Sequence, residues 1–131
     1  MKLLREYIRE LLTEAALGIN DWVYKNLDKV LEDSVSALDA LQKRRGECQS
    51  HTNLFVALAR AAGIPARVVN GLVYSSEFKG FAYHAWPEVY VGQWRALDPT
   101  LGQSVADATH IKLAKGDEAG PLKLLEFMGK L

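Results

Sequence analysis

Hydrophobic residues in the first half of the chain recur at the spacing of amphipathic helices. Over residues 2–17 the apolar side chains form one broad stripe: Leu3, Leu4, Tyr7, Ile8, Leu11, Leu12 and Ala15. Gly18 predicts the end of this helix. The pattern then predicts a second helix over residues 20–31 and a shorter third helix over residues 34–41.

A fourth predicted helix contains the only cysteine of the chain. Gly46 precedes this helix, Gly63 and Pro65 follow it, and its interior is rich in alanine and leucine. Cys48 falls in the first turn, where the aligned peptide dipoles favour a thiolate over a thiol. A lone cysteine is equally the pattern of a small buried hydrophobe, so position alone leaves both interpretations open.

In the second half the pattern changes to the alternation typical of strands. It predicts strands over residues 67–74, 81–91, 94–97 and 108–113, with Gly92-Gln93 as a hairpin turn. Gly71 lies inside the first of these strands, which indicates a bulge or a close backbone approach. The predicted fold class is α+β, with the Cys48 helix packed on an antiparallel sheet.

Composition narrows the possible functions. The 131 residues are enough for one domain with its own core, and one cysteine excludes an internal disulfide. Lysine plus arginine balance aspartate plus glutamate at 16 each, so no basic field exists to hold nucleic acid. No apolar run reaches the length of a membrane span, and no signal peptide is evident. We expect a soluble protein.

A cysteine nucleophile needs a base, and the base needs a third group that orients it. His84 lies in a predicted strand, and Asp98 ends the next strand. The two strands can bring both residues to Cys48, with the triad in the order Cys, His, Asp. In other contexts a strand histidine is an ordinary core or surface residue, and an aspartate before proline is a strand terminator.

The hairpin turn decides whether this triad can form. A two-residue turn at Gly92-Gln93 would place Asp98 on the other side of the pleat from His84. One extra residue, either a bulge or a three-residue turn, restores the parity. We predict a bulge between Trp86 and Asp98, with Pro87, which cannot donate to the ladder, as a natural place for it.

Other residues have weaker chemical interpretations. His51 shares a helix face with Cys48 and could line the cleft or bond a neighbouring carbonyl. Trp86 is predicted as core or as a wall of a substrate groove. His110 alternates outward with Lys112 and is predicted to be solvated. A zinc site from Cys48, His51 and His84 lacks the usual ligand spacing, so no metal is expected.

Several blocks of sequence resemble the transglutaminase-like superfamily, its bacterial branch most of all. The blocks are residues 45–48 (RGEC), 60–71 (RAAGIPARVVNG), 84–90 (HAWPEVY), 94–100 (WRALDPT) and 106–113 (ADATHIKL). The resemblance covers residues 18–117. It leaves residues 1–17 as an amphipathic lead helix and residues 118–131 as a short carboxyl-terminal segment. Pro87 stands where the family usually has an ordinary strand residue.

The resemblance implies a papain-like fold in which Cys48 is the nucleophile, His84 the base and Asp98 its orienter. It also implies an oxyanion donor, for which Trp22 and the Cys48 backbone amide are candidates. The expected activity is cysteine peptidase or amidase hydrolysis through a thioester, without a cofactor, on a peptide or protein substrate. Protein-glutamine acyl transfer and an inactive binding module on the same fold are the alternatives.

Overall fold

The computed structural model describes residues 2–77 and 79–115, and it begins with one long helix. Helix α1 (Lys2–Asn26) runs through Gly18, so the predicted break there and the separate helix over 20–31 are wrong. A glycine costs a helix interior about 1 kcal/mol relative to alanine. The buried contacts of Ala16 and Val23, on either side of Gly18, offset that cost. The predicted boundary after residue 17 thus falls within a continuous helix.

In the described part of the chain, two short strands and two helices follow α1, and four further strands come after them. They are β1 (Asp28–Lys29), α2 (Ala37–Lys43), β2 (Arg45–Gly46), α3 (Cys48–Ala61), β3 (Ala66–Ser75), β4 (Gly80–Tyr90), β5 (Trp94–Ala96) and β6 (His110–Lys115). Strands β1 and β2 pair in parallel, and the others form an antiparallel sheet in the order β5-β4-β3-β6. The α+β prediction is confirmed. The predicted segment 118–131 lies outside the described residues.

The helices pack on one face of the sheet. Ala66 pairs with Val89 across β3 and β4, and both side chains join the hydrophobic core formed with α1 and α3. Because side chains alternate along a strand, His84 and Trp86 point to the opposite face. No helix in residues 2–77 and 79–115 combines the length and hydropathy that a bilayer crossing requires.

The β4–β5 turn has three residues, so the predicted two-residue turn is wrong. Tyr90 pairs with Trp94, which leaves Val91, Gly92 and Gln93 as the turn. Pro87 sits in a regular part of β4, and its carbonyl accepts from the Leu97 amide at 3.1 Å. The predicted irregularity between Trp86 and Asp98 is therefore the extra turn residue rather than a bulge at Pro87.

Gly71 marks a close backbone approach, as predicted. The β3–β6 register shifts between Asn70 and Gly71, and a Cβ atom at Gly71 would lie 2.1 Å from the Ile111 carbonyl oxygen. The same Cβ atom would lie 2.8 Å from the ring of Trp86. The missing side chain thus allows β6 to pack beside β3 with His110 at its first position.

We expect Gly71→Ala to lower the free energy of unfolding by about 1–3 kcal/mol, because the added methyl group meets backbone that cannot move aside freely. Gly18→Ala is the matched control, since its Cβ atom would enter open space in an exposed helix. We expect that control to stabilise the protein by about 0.5–1 kcal/mol. Urea unfolding of both variants measures the difference, and a Gly71→Ala protein as stable as wild type would contradict the packing argument.

Candidate active site

The start of helix α3 is capped from a distant loop. Asp33 Oδ1 accepts from the backbone amide of Glu47 at 3.1 Å, and from the amide and hydroxyl of Ser50 at 3.0 and 2.8 Å. Glu47, at the N-cap position, makes no capping bond with its own side chain. The first-turn amides of a helix lack intrahelical acceptors. Asp33 therefore fixes the turn that carries Cys48, and it was not identified from the sequence.

Helix α3 meets β4 at Ala85, the residue after His84. Strand β5 pairs only with Glu88–Tyr90. The backbone N–H and C=O of Ala85, on the same edge of β4, are therefore available to bond helix α3. The Thr52 hydroxyl donates to the Ala85 carbonyl at 3.2 Å, and the Ala85 amide bonds Cys48 one turn earlier in the helix. Two bonds to the same residue, Ala85, thus hold the first turns of α3 against β4, and Cys48 and His84 line one pocket.

The Cys48 thiol is buried, with 6% of the residue exposed. Burial raises the pKa of Cys48 to about 12, although the bond from the Ala85 amide acts in the opposite direction. The carboxylates of Asp33, Glu47 and Asp98 also raise this pKa. The expected lowering by the helix dipole is therefore outweighed, and the free protein holds a neutral thiol at pH 7.

His84 and Asp98 form a buried pair on the sheet face opposite α3. His84 Nε2 donates to Asp98 Oδ2 at 2.7 Å, and neither residue is more than 6% exposed. Asp98 Oδ1 accepts from the amides of Thr100 and Leu101 at 3.0 Å each. The sequence predicted that both strands would face the helix that carries Cys48. In the structure His84 and Asp98 point away from that helix, and Cys48 approaches them from the edge of the sheet.

A second histidine shares the same carboxylate oxygen. His110 Nε2 donates to Asp98 Oδ2 at 2.7 Å, and His110 Nδ1 lies 3.0 Å from Asp107 Oδ1. The His110 side chain is only 4% exposed, so the prediction of a solvated residue is wrong. Lys112 does share a face with His110, but that face carries Trp86 and Glu88 and is not open solvent. Alternation along a single strand could not reveal this.

Both acidic and basic members of the cluster are shifted toward their charged forms. Burial raises the pKa of Asp98, but the hydrogen bonds from His110 and His84 outweigh it and bring the pKa to about 2. Burial lowers the pKa of His110, but the hydrogen bond to Asp98 outweighs it, and the pKa lies above its ordinary value. Asp98 is therefore charged at neutral pH, and its carboxylate favours the protonated form of His110.

Three other predicted site residues lie outside the pocket. His51 is 1% exposed and its Nδ1 lies 2.7 Å from the Glu47 carbonyl oxygen, so its ring is used within the helix. Trp22 lies near the end of α1, with the Arg44 guanidinium 5.0 Å from its ring centre, and it lines a different pocket from Cys48. Trp86 is 2% exposed and stacks on the His84 ring, with the ring centres 5.9 Å apart, so it packs against that ring and does not line the pocket.

An open pocket of about 330 Å³ lies beside the buried cysteine and histidine. Cys48, His84 and Thr100 lie in its wall, with Tyr74 and Tyr83 as its aromatic side chains. The Tyr83 hydroxyl donates to Asn70 Oδ1 at 2.7 Å and also approaches Gln49 Oε1 at 3.2 Å. The arrangement offers a sulfur nucleophile and an oriented imidazole to a substrate entering from solvent.

His84, Asp98 and His110 also place one potential metal ligand each within 4.8 Å of one another. This is a different set from the Cys48, His51 and His84 group considered in the sequence. Two N–H groups on one carboxylate oxygen account for the observed contacts without an ion. The cluster is therefore best described as a hydrogen-bond network.

Comparison with known proteins identifies the family of the chain. The family model of the transglutaminase-like superfamily (Transglut_core) matches residues 4–99. An uncharacterized protein of Mycobacterium leprae is 36% identical over an alignment of 123 positions that covers 84% of this chain and 43% of that protein. Mouse kyphoscoliosis peptidase is 28% identical over an alignment of 134 positions, gaps included, that covers 83% of this chain and 20% of that protein.

Solved structures extend the likeness to the fold. A candidate cysteine protease from Cytophaga hutchinsonii superposes with a TM-score of 0.69 at 28% identity, over 88% of this chain and 43% of that one. The periplasmic domain of TgpA from Pseudomonas aeruginosa gives a TM-score of 0.50 at 24% identity, over 77% of this chain and 43% of that one. This chain thus spans less than half the length of each of these relatives. It belongs to the transglutaminase-like superfamily.

Proposed function

We propose that this chain carries out cysteine-dependent acyl chemistry on peptide or glutamine amide bonds, with Cys48, His84 and Asp98 as its triad. The observation that carries the proposal is the Ala85 junction. It joins the Cys48 turn to the strand residue next to an imidazole that is already paired with a buried carboxylate. Superfamily membership supports an enzyme in general terms.

The hydrogen bonds assign a role to each ring nitrogen of His84. Nε2 carries the proton that it donates to Asp98, so the neutral ring presents a lone pair on Nδ1. Nδ1 then takes the proton from the Cys48 thiol as sulfur attacks the carbonyl carbon. The thiol is neutral at rest, so proton transfer accompanies attack and no preformed thiolate is needed.

The remaining steps use the same groups. The carbonyl oxygen becomes an oxyanion, for which the Cys48 backbone amide at the helix start is the proposed donor. His84 returns its proton to the leaving nitrogen, the carbon–nitrogen bond breaks, and a thioester on Cys48 remains. Water then attacks the thioester with His84 again as base, giving a carboxylic acid and the free thiol.

Hydrolysis is our first choice between the possible acceptors. The pocket opens to solvent, so water has access to the thioester. The mouse relative is named a peptidase, and the Cytophaga hutchinsonii structure is described as a candidate cysteine protease. Transfer to a lysine amine, which would form a crosslink, is the alternative acceptor reaction on the same intermediate.

Burial of Cys48 favours a second candidate, a binding module that keeps the fold without turnover. A thiol with a pKa of about 12 is a weak nucleophile unless a base assists it. In that case the pocket would hold a peptide without cleaving it.

Product analysis tests these functions. We would incubate the protein with a library of short peptides, and separately with a glutamine peptide and a fluorescent primary amine, and identify products by mass spectrometry. We expect cleaved or deamidated peptides and an acyl adduct on Cys48, both absent from Cys48→Ala. Amine incorporation without cleavage would decide for acyl transfer. Peptide binding without any product would decide for the binding module.

A further inference from the structure

We propose that His110 is a positioning residue of the triad, a fixed cation beside Asp98 that keeps His84 as a neutral base. This inference rests on the proposed function. It begins from the fact that Asp98 Oδ2 accepts two imidazole N–H groups, at 2.7 Å each. A triad of three residues needs only one of these bonds, so the second histidine needs its own explanation.

The hydrogen bonds of His110 define its charge. Its Nε2 faces a carboxylate oxygen of Asp98, and its Nδ1 faces the Asp107 carboxylate at 3.0 Å and the Asp107 carbonyl at 3.1 Å. Both nitrogens therefore face groups that can only accept. An imidazole satisfies two acceptors only when both nitrogens carry hydrogen, which is the imidazolium form. The raised pKa of His110 agrees with this.

The fold holds this cation in place from several sides. The ring packs edge-on against Trp86 with centres 4.8 Å apart, and the His84 ring centre is 5.7 Å away. Among the described residues, titratable groups in contact with the His110 ring are Asp98 after β5, Asp107 before β6 and His84 on β4. Its pairing partner on β3, Val73, is uncharged.

The electrostatic consequence concerns His84. A lone buried carboxylate would favour the imidazolium form of His84, which has no lone pair to accept the thiol proton. The positive charge of His110, which bonds the same Asp98 oxygen, compensates the charge of the carboxylate. It therefore disfavours protonation of His84 to a second cation. His84 thus keeps its orienting bond to Asp98 while its Nδ1 stays free to act as base.

The first test is His110→Gln, in which the amide can still donate to Asp98 but carries no charge. We expect the acid limb of the kcat/KM profile to move to higher pH by about one unit, with activity recovering above that limb. KM should change little, because His110 does not line the pocket. Asp107→Asn should move the limb in the same direction by less, since it weakens the second acceptor of His110.

Lys115→Gln is the matched control. It removes one positive charge from the exposed end of the same strand and should leave the profile in place. A His110→Gln protein whose rate falls equally at every pH would show a merely structural role and overturn the proposal. Cys48→Ala tests the proposed function separately, because retained activity in that variant would contradict the triad whatever His110 does.

A second measurement does not depend on turnover. Nitrogen-15 spectra of the histidine rings should show both nitrogens of His110 protonated at pH 6.5, with the imidazolium persisting above that value. In the same spectra His84 should carry hydrogen on Nε2 alone near pH 7. A neutral His110 at pH 6 would overturn the inference even if no substrate had been found.

Discussion

Replacing His84 by alanine is expected to lower kcat by about 10³-fold or more and to slow the alkylation of Cys48 near neutral pH. Burial holds the pKa of Cys48 at about 12, so roughly one thiol in 10⁵ would ionise unaided at pH 7. The rate of attack therefore depends on the base that takes the proton. Alkylation by iodoacetamide from pH 5 to 11, followed by mass spectrometry, measures this dependence without a known substrate.

In wild type we expect alkylation to rise as His84 becomes neutral and then to level off. In His84→Ala we expect it to rise only at strongly alkaline pH. His51→Gln is the matched control, because that ring is bonded within helix α3 and does not line the pocket. Equal alkylation profiles in wild type and His84→Ala would remove His84 as the base.

The second large effect is expected from Asp98→Asn. This substitution should lower both the activity and the stability of the protein. An asparagine can direct its NH₂ group at the two imidazoles, which disfavours the ring form that leaves Nδ1 of His84 free. We expect kcat to fall by about 10⁴-fold. Removing one partner of a buried charged network should also cost about 3–5 kcal/mol of unfolding free energy.

Acid unfolding separates this stabilising contribution from the others. The pKa of Asp98 is about 2 in the folded protein against an ordinary value of 3.8, so the unfolded chain binds the proton more tightly. Its stabilisation is present above about pH 4 and is lost as the pH falls toward 2. Guanidinium unfolding from pH 2 to 7 should show this loss in wild type and a smaller one in Asp98→Asn. Equal losses in both proteins would show that Asp98 does not contribute to acid stability.

Sequence reasoning worked where one local rule determined the outcome. Gly46 and Gly63 bracket the Cys48 helix, and the alternation of apolar and polar residues predicted the strands of the antiparallel sheet. The parity argument also identified what His84 and Asp98 need to share a face, namely one extra residue in the hairpin. It favoured Pro87 as the place for that residue, whereas the structure has it in the turn. Pro87 stays in the ladder because its carbonyl accepts from the Leu97 amide and only its missing N–H is lost to the pairing.

Features that depend on contacts between distant segments were not predictable in this way. Helix α1 continues through Gly18 because packing against α3 outweighs a weak local preference. Asp33 caps a helix whose N-cap residue, Glu47, lies fourteen residues later. His110 is buried because β6 pairs with β3 through the shift at Gly71 and a loop brings Asp98 to it. No pattern within one strand contains that information.

The carboxylate of Asp33 stabilises the head of helix α3 and also opposes ionisation of the sulfur that the helix carries. Peroxide and other oxidants react with thiolates far faster than with thiols. A cysteine that rests protonated should therefore be oxidised to sulfenic or sulfinic acid more slowly than a thiolate. The contact that positions the Cys48 turn thus also favours, together with burial, the thiol form that oxidants attack slowly.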